Sequence, residues 1–255
     1  MPDKSLGQHW LKDRTVLAHI ADSAAIAGTD TVLEIGPGLG TLTSELLRRA
    51  NNVVAVEFDP ELARKLPAQF PGTKLEVVTS DILSFDLSPL PAGYKVVANV
   101  PYYITSKIVQ MLMTATNKPS TTVLLIQKEV AERLAAKPGD MSILAISAQV
   151  FAEVSLGDVV PAEFFTPPPK VDSQVVIMKT RPQPLVAADN EKEFFRIVKA
   201  GFSGKRKKLR SSIAGGLNIT KPEAEKLLNK AKISPDSRAE DLTIADWQRL
   251  QKEIL

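Results

Sequence analysis

The segment Asn99-Val-Pro-Tyr102 carries the most specific chemistry in this 255-residue chain. The adenine amine is a poor nucleophile because its lone pair is delocalised, so it attacks a methyl group only as the nitrogen becomes tetrahedral. The Asn99 side-chain oxygen and the Val100 carbonyl can accept the two amine hydrogens and favour that geometry, and Tyr102 offers a face for stacking. The segment therefore predicts methyl transfer to an adenine amine; the alternative is an ordinary proline turn beside a core tyrosine.

A glycine-rich loop, Glu34-Ile-Gly-Pro-Gly-Leu-Gly40, follows a β-branched run and precedes a helical pattern. Its spacing is G-x-G-x-G, which departs from the G-x-G-x-x-G of dinucleotide sites. Glu34 would repel a pyrophosphate but suits a cation such as S-adenosylmethionine, with Gly36 and Gly38 allowing close backbone approach. The alternative is a tight strand-to-helix turn without a ligand.

Two further acids follow β-branched runs. Glu57 comes 23 residues after Glu34, a position from which a carboxylate reaches ribose hydroxyls. Asp81 can accept from the exocyclic amine of a cofactor adenine, with Ile82 packed on the ring. A surface acid at Glu57 and a helix cap at Asp81 are the alternatives.

A proline-rich loop and a basic run complete the candidate motifs. Phe164-Phe-Thr-Pro-Pro-Pro-Lys-Val-Asp-Ser173 is stiff enough to hold an aromatic ring against an extruded base, or it is a hydrophobic plug. Between Phe194 and Pro222 lie eight Lys or Arg residues and no acid, although the whole chain has a net charge of only +3. Such a run predicts a polyanion surface, nucleic acid above all; the alternative is a solvated helix face.

Short β-branched runs alternate with helical patterns and must position these motifs. We predict strands at 31–35, 53–56, 75–78, 95–98, 121–126, 150–156 and 174–178, with helices at 42–47, 60–69, 106–113 and 129–136. The alternation indicates an α/β fold, and two final strands without a helix between them indicate an antiparallel pair. This is the layout of class I methyltransferases, with a Rossmann-like, seven-stranded, mostly parallel sheet.

A stiff linker, Arg181-Pro-Gln-Pro184, divides the chain into a predicted methyltransferase domain, 1–184, and a small helical RNA-binding domain, 185–255.

The chain has no cysteine and two histidines, which excludes disulfides, thiolate zinc sites and multi-histidine metal sites. No apolar run approaches a membrane span, and the N-terminus lacks the apolar core of a signal peptide. We expect a cytoplasmic monomer with no bound metal and no membrane partner.

Together the motifs resemble the KsgA family of ribosomal RNA adenine dimethyltransferases, and most of all its bacterial branch. The resemblance covers essentially the whole chain and is carried by the segments 6–11, 34–40, 57, 81–82, 99–105, 127–131, 165–173 and 234–242. It implies an S-adenosylmethionine-dependent RNA adenine N6-methyltransferase, with S-adenosylhomocysteine as product. Its implied substrate is two adjacent adenosines in the 3′-terminal hairpin of small-subunit (16S) rRNA, and its partner is the assembling small subunit.

The resemblance also implies roles for individual residues. Gln8, His9 and Leu11 match the cofactor-site motif of the family, and Tyr102 and Phe165 match its base-stacking aromatics. Trp10 stands where the family usually has phenylalanine. The RNA-binding residues would be the five at the centre of the basic run, and the name is used for these from here on. They are Lys205, Arg206, Lys207, Lys208 and Arg210.

Three alternatives remain open at this point. An Erm-type large-subunit rRNA methyltransferase shares the catalytic motifs, although the proline-rich loop and the C-terminal segments favour the small-subunit enzyme. A DNA adenine methyltransferase is weaker, because such enzymes more often carry Asp-Pro-Pro-Tyr. A non-catalytic RNA-binding assembly factor would not need Glu34, Glu57 and Asn99.

Overall fold

The computed structural model describes residues 9–204 and 206–255, so the predictions for Gln8 and Lys205 lie outside the described residues. These residues form two compact units. The first contains 9–132 and 152–180, and the second contains 133–151 and 181–255. The predicted domains, 1–184 and 185–255, stay a prediction. Residues 133–151 belong to the same compact unit as the C-terminal segment, which nothing in the sequence indicated.

The first unit is built on β-strands. They are β1 (Trp10–Leu11), β2 (Thr31–Ile35), β3 (Asn52–Glu57), β4 (Leu75–Thr79), β5 (Lys95–Asn99), β6 (Thr121–Gln127), β7 (Ala152–Val160), β8 (Phe165–Thr166) and β9 (Ser173–Thr180). Seven of them form one sheet in the order β4-β3-β2-β5-β6-β9-β7. The first five strands in this order, from β4 through β3, β2 and β5 to β6, pair in parallel, and β9 pairs antiparallel with both β6 and β7. The predicted seven-stranded, mostly parallel sheet and its antiparallel pair are confirmed.

The central strands are apolar along their whole length because both faces of the sheet are covered. Val32, Leu33, Val96, Val97 and Leu124 are completely buried. Parallel connections of this kind bring the carboxyl ends of β2, β3, β4 and β5 to one edge of the sheet. Those ends are followed by the segments that carry the predicted site residues, so the fold gathers the motifs at this edge.

The helices are α1 (Arg14–Ser23), α2 (Thr41–Leu47), α3 (Pro60–Lys65), α4 (Thr105–Thr114), α5 (Lys128–Leu134), α6 (Ile143–Gln149), α7 (Ala188–Gly201), α8 (Leu209–Leu217), α9 (Lys221–Lys230) and α10 (Ile244–Ile254). Helix α1 begins at Asp13, whose side chain accepts a hydrogen bond from the Val16 N–H. Its residues Leu17 and Ile20 are buried in a core cluster with Val32 and Val97 of the sheet. Helix α1 was not predicted, nor was the short sheet of β1 and β8.

The second unit is helical, as predicted for its C-terminal part. Helices α9 and α10 begin with capping boxes, Thr220 with Glu223 and Thr243 with Asp246, which satisfy the first backbone N–H groups. Trp247 on α10 is completely buried. A Cβ on Gly201 would overlap the indole ring of Trp247, so α7 requires a glycine at this position. Within the described residues, no helix is long and apolar enough to cross a membrane.

Candidate active site

The glycine loop between β2 and α2 contains three glycines, and two of them differ in why a side chain is excluded. Gly36, Gly38 and Gly40 all have positive φ, at +66°, +56° and +78°. A Cβ on Gly40 would lie 2.7 Å from Leu66 and 2.9 Å from Phe70, so packing requires glycine there. A Cβ on Gly36 would meet no atom within 4 Å, because this residue borders open cavities. The loop therefore has room for a ligand at Gly36.

Glu57, the last residue of β3, binds the backbone of this loop. One carboxylate oxygen accepts from the Gly38 N–H at 2.9 Å, and the other accepts from the Asp59 N–H at 2.9 Å. The residue is 6% exposed. A carboxylate has about four lone-pair sites, so two backbone hydrogen bonds leave capacity for two hydroxyl donors.

Glu34, near the end of β2, is almost fully buried, at 1% exposure. It accepts a hydrogen bond from the Thr43 hydroxyl at 2.6 Å. Burial raises the pKa of Glu34 to about 8, and the nearby charge of Glu57 adds to the effect, while the Thr43 hydrogen bond opposes it. At neutral pH this side chain is therefore mostly a neutral acid.

Two adjoining cavities lie at the carboxyl edge of the sheet. The first cavity is lined by His9, Trp10, Leu11, Glu34, Asn99, Val100 and Tyr102, among others. The second cavity is lined by Glu57, Phe58, Asp81, Ile82 and Tyr103, among others. Gly36 and Pro101 line both, so the glycine loop and the turn after β5 together separate the two cavities.

Asp81 caps a short helical turn and also lines a cavity, and its contact with a cofactor adenine stays a prediction. Its carboxylate accepts from the Leu83 N–H at 3.0 Å, which caps the short helical turn after β4. It also lines the second cavity, where Ile82 is buried at 5% exposure. Phe58 and Tyr103 line the same cavity and are 60% and 65% exposed. Sequence reasoning missed these two aromatic residues, which directly follow Glu57 and Tyr102.

The turn after β5 is held by hydrogen bonds at both ends. The Asn99 amide donates to the His9 carbonyl at 3.3 Å, which leaves the side-chain oxygen of Asn99 as its acceptor. The Tyr102 hydroxyl hydrogen-bonds the Ser173 hydroxyl at 2.8 Å. Burial raises the pKa of Tyr102, so this residue stays neutral. The His9 ring lies nearly parallel to that of Tyr102, with the ring centroids 6.0 Å apart.

The N-terminal strand closes one side of the first cavity. Trp10 and Leu11 pair with Thr166 and Phe165, antiparallel. The His9 ring nitrogen Nδ1 lies 2.7 Å from the Pro167 carbonyl, so the strand is attached to the proline-rich loop. Trp10 lines the first cavity. The resemblance assigned His9 and Leu11 to the cofactor site and identified Trp10 only as a departure from the usual phenylalanine.

A family model described as ribosomal RNA adenine dimethylase matches residues 2–255. The chain belongs to this family. Among curated relatives, ribosomal RNA small subunit methyltransferase A of Dehalococcoides mccartyi (strain CBDB1) is 43% identical over 251 residues, covering 97% of this chain and 86% of the relative. The protein of the same name from Acaryochloris marina is 40% identical, covering 99% and 97%.

Two solved structures resemble this chain over nearly its full length. A dimethyladenosine transferase from Plasmodium falciparum superposes with a TM-score of 0.82 at 27% identity, covering 95% of this chain and 96% of that one. The 23S rRNA methyltransferase ErmE superposes with a TM-score of 0.77 at 30% identity, covering 96% and 98%. The class I methyltransferase fold predicted from the sequence is confirmed.

Phe165 lies in a different place from the one expected for a base-stacking residue of this family. Its side chain is 3% exposed and belongs to the core cluster that contains Leu11 and Leu17. It lines neither cavity. The neighbouring Phe164 is 37% exposed. Stacking of Phe165 on a base stays a prediction, and it requires this side chain to leave the core.

The basic run, which lies in the second unit, is partly neutralised. Lys208 forms a salt bridge with Asp236 at 3.1 Å, and Arg210 forms salt bridges with Glu225 and Asp236 at 3.2 Å each. Arg206 and Lys207 are exposed and form no ion pair with any residue that the structure describes. The sequence could not separate these two pairs of residues, because the acids lie 15 to 28 positions away along the chain.

Proposed function

We propose that this chain transfers methyl groups from S-adenosylmethionine to N6 of two adjacent adenosines in the 3′-terminal hairpin of small-subunit rRNA. Membership of the ribosomal RNA adenine dimethylase family supports the reaction, and the names of the curated relatives support the small subunit as target. One structural observation carries the proposal: Asn99, Val100 and Tyr102 line a cavity that adjoins the cavity of Glu57 and Asp81. We further propose that the chain acts as a cytoplasmic monomer on assembling subunits.

The residues present fit the proposed methyl donor. Glu57 has lone pairs left for two ribose hydroxyls, Asp81 can accept from the adenine amine, and Ile82 supplies an apolar surface for the ring. Gly36 offers open space at the junction of the cavities, where a side chain would obstruct a ligand. Glu34 lines the first cavity and is the acid that would accept hydrogen bonds from the α-ammonium group. When bound, this cofactor supplies a methyl group activated by a sulfonium centre.

In this proposal the chain catalyses the reaction by orientation and hydrogen bonding. The target adenine leaves its stack and enters the first cavity, where Tyr102 supports the ring. The Asn99 oxygen and the Val100 carbonyl accept the amine hydrogens, and these bonds strengthen as N6 gains positive charge. The methylated nitrogen then loses its proton readily, so no general base is required. After the first transfer N6 keeps one hydrogen, so only one acceptor is used in the second.

Mass spectrometry of rRNA after incubation with S-adenosylmethionine tests the proposal. The substrate is small ribosomal subunits prepared from cells that lack the endogenous modification, and large subunits and duplex DNA serve as parallel substrates. We expect dimethyladenosine at two adjacent positions of the small-subunit rRNA. Particle binding without any methylation would instead support a non-catalytic assembly factor.

The Erm-type activity is the second candidate because the structural match to ErmE extends over 96% of this chain. Methylation of large-subunit RNA in the same experiment would favour it. The higher identity to the small-subunit enzymes, at 40–43% for the two relatives above, supports the first candidate.

A further inference from the structure

A basic groove adjoins the first cavity in the same unit. Its charged and polar lining consists of Lys12, Arg14, Arg48, Glu45, Thr41, Ser44 and Gln69. Leu17, Leu39 and Thr41 line both this groove and the first cavity, so the two share a wall. The groove lies in the first unit, separate in sequence from the basic run at 205–210.

The cations of the basic groove outnumber its acids. Lys12 and Arg14 are exposed and have no ion-pair partner among residues 9–204 and 206–255. Arg48 pairs with Glu45 at 2.9 Å, but the same carboxylate also binds Arg49 at 2.8 Å. The groove lining therefore has three cations and one carboxylate, which Arg49 also binds, so the groove keeps an excess of positive charge.

The fold itself does not account for Arg14. This residue is the first of α1, where the helix dipole disfavours a positive charge, and the carboxylate of the adjacent Asp13 is engaged by the Val16 N–H. The backbone around it is well anchored. Asp13 caps α1, and the Leu11 carbonyl accepts a hydrogen bond from the Thr41 hydroxyl at 3.0 Å. Lys12 and Arg14 thus project from a fixed segment, which lowers the entropic cost of using them to bind a ligand.

We propose that the basic groove binds a backbone phosphate of the RNA strand next to the target adenosine. This inference rests on the proposed function. A base that enters the first cavity leaves its sugar and phosphates at the cavity mouth, so a neighbouring phosphate must cross the adjacent surface. That surface holds Lys12 and Arg14, and cations placed there position an RNA strand without reading its sequence.

The test compares two double variants. Lys12→Gln with Arg14→Gln removes two of the three cations that line the groove. Lys74→Gln with Lys179→Gln removes two exposed charges from the opposite edge of the sheet, because Lys74 directly precedes β4 and Lys179 pairs with Thr121, the first residue of β6. Both variants change only exposed side chains, and thermal melting checks that each is folded. The substrate is undermethylated small subunits.

For the groove variant we expect KM for the particles to rise about tenfold while kcat stays within about twofold. The salt dependence of particle binding should lose about two units of slope, since each phosphate contact contributes about one. Calorimetric affinity for S-adenosylmethionine should not change. The control variant should match the wild type in all three measurements.

Two outcomes would overturn the inference. An unchanged KM and salt slope in the groove variant would mean that the groove does not contact RNA. A loss of S-adenosylmethionine affinity would mean that its cations serve the carboxylate of the cofactor instead. Failure of the proposed function is distinguishable, because the wild-type protein itself would then leave the small-subunit rRNA unmethylated.

Discussion

The Gly38 N–H donates to the Glu57 carboxylate at 2.9 Å, across the gap between the glycine loop and the end of β3. The bond connects two residues that the sequence singled out separately, one for backbone approach and one for ribose binding. Glu57 therefore fixes the loop conformation as well as offering acceptors to a ligand. Substitution of Glu57 should consequently affect both the stability of the loop and the affinity for the ligand, and the two effects can be measured separately.

Glu57→Ala is expected to weaken S-adenosylmethionine affinity by about one to two orders of magnitude, since hydrogen bonds to a charged group are worth roughly 1.5–3 kcal/mol. Glu57→Gln is the matched control, because it keeps one acceptor oxygen for a backbone N–H and loses the charge. It should give an intermediate affinity and a smaller loss of melting temperature. Calorimetry that finds wild-type affinity in a folded Ala variant would refute the ribose assignment.

The buried Glu34 should make stability depend on pH. Its pKa is raised by burial from 4.5 to about 8, so folding binds a proton at intermediate pH. Stability should fall as pH rises from about 4.5 towards 8 and level off above that range. Glu34→Gln removes the titration, so the variant should gain stability over wild type at pH 8–9, on the order of a few kcal/mol, with little difference near pH 4. Denaturant melts at both pH values measure this.

The same acid should couple cofactor binding to proton release. A cation bound beside Glu34 favours the ionised form and lowers its pKa, so affinity should rise with pH towards 8 and then stay constant. Glu34→Gln provides the reference, because it retains any titration of the ligand itself. Calorimetry in buffers of different ionisation enthalpy counts the released protons. Equal proton release in the wild type and the variant would contradict the coupling.

Asn99→Ala should lower turnover by roughly 10²–10³ while leaving RNA affinity within a few-fold, because the lost hydrogen bond acts mainly in the transition state. The substitution also removes the hydrogen bond to the His9 carbonyl, so Asn99→Asp, which keeps an acceptor oxygen, serves as a comparison. Single-turnover assays should follow both methylation steps. Near-normal dimethylation by the Ala variant would show that stacking and proximity suffice.

The basic run should divide into two pairs of residues. Arg206→Gln with Lys207→Gln should lower the salt slope of particle binding by about two units. Lys208→Gln with Arg210→Gln should lower it less, because Asp236 and Glu225 already neutralise these side chains. Equal slopes for the two double variants would mean that RNA displaces the acids. S-adenosylmethionine affinity should be unchanged in both.

The α/β class and most of the strands and helices of this protein could be predicted from its amino-acid sequence. Every predicted strand has an observed counterpart, and 31–35 agrees at both ends, because a strand buried on both faces needs a continuous β-branched run. The glycine loop, Glu57, Asp81 and Asn99 could be placed at one edge because parallel strands must end together. These signals are local in the chain, so a single sequence contains them.

The partners that each side chain contacts could not be predicted, because they depend on how distant parts of the chain pack. The protonated state of Glu34 depends on burial and on Glu57, 23 residues away. The pairing of β1 with β8 joins segments about 155 residues apart, and it places Phe165 in the core. Salt bridges likewise divide the basic run into cations with an acidic partner and cations without one among the residues that the structure describes. Desolvation, pairing and charge neutralisation depend on what lies nearby in space, and chain spacing does not record that.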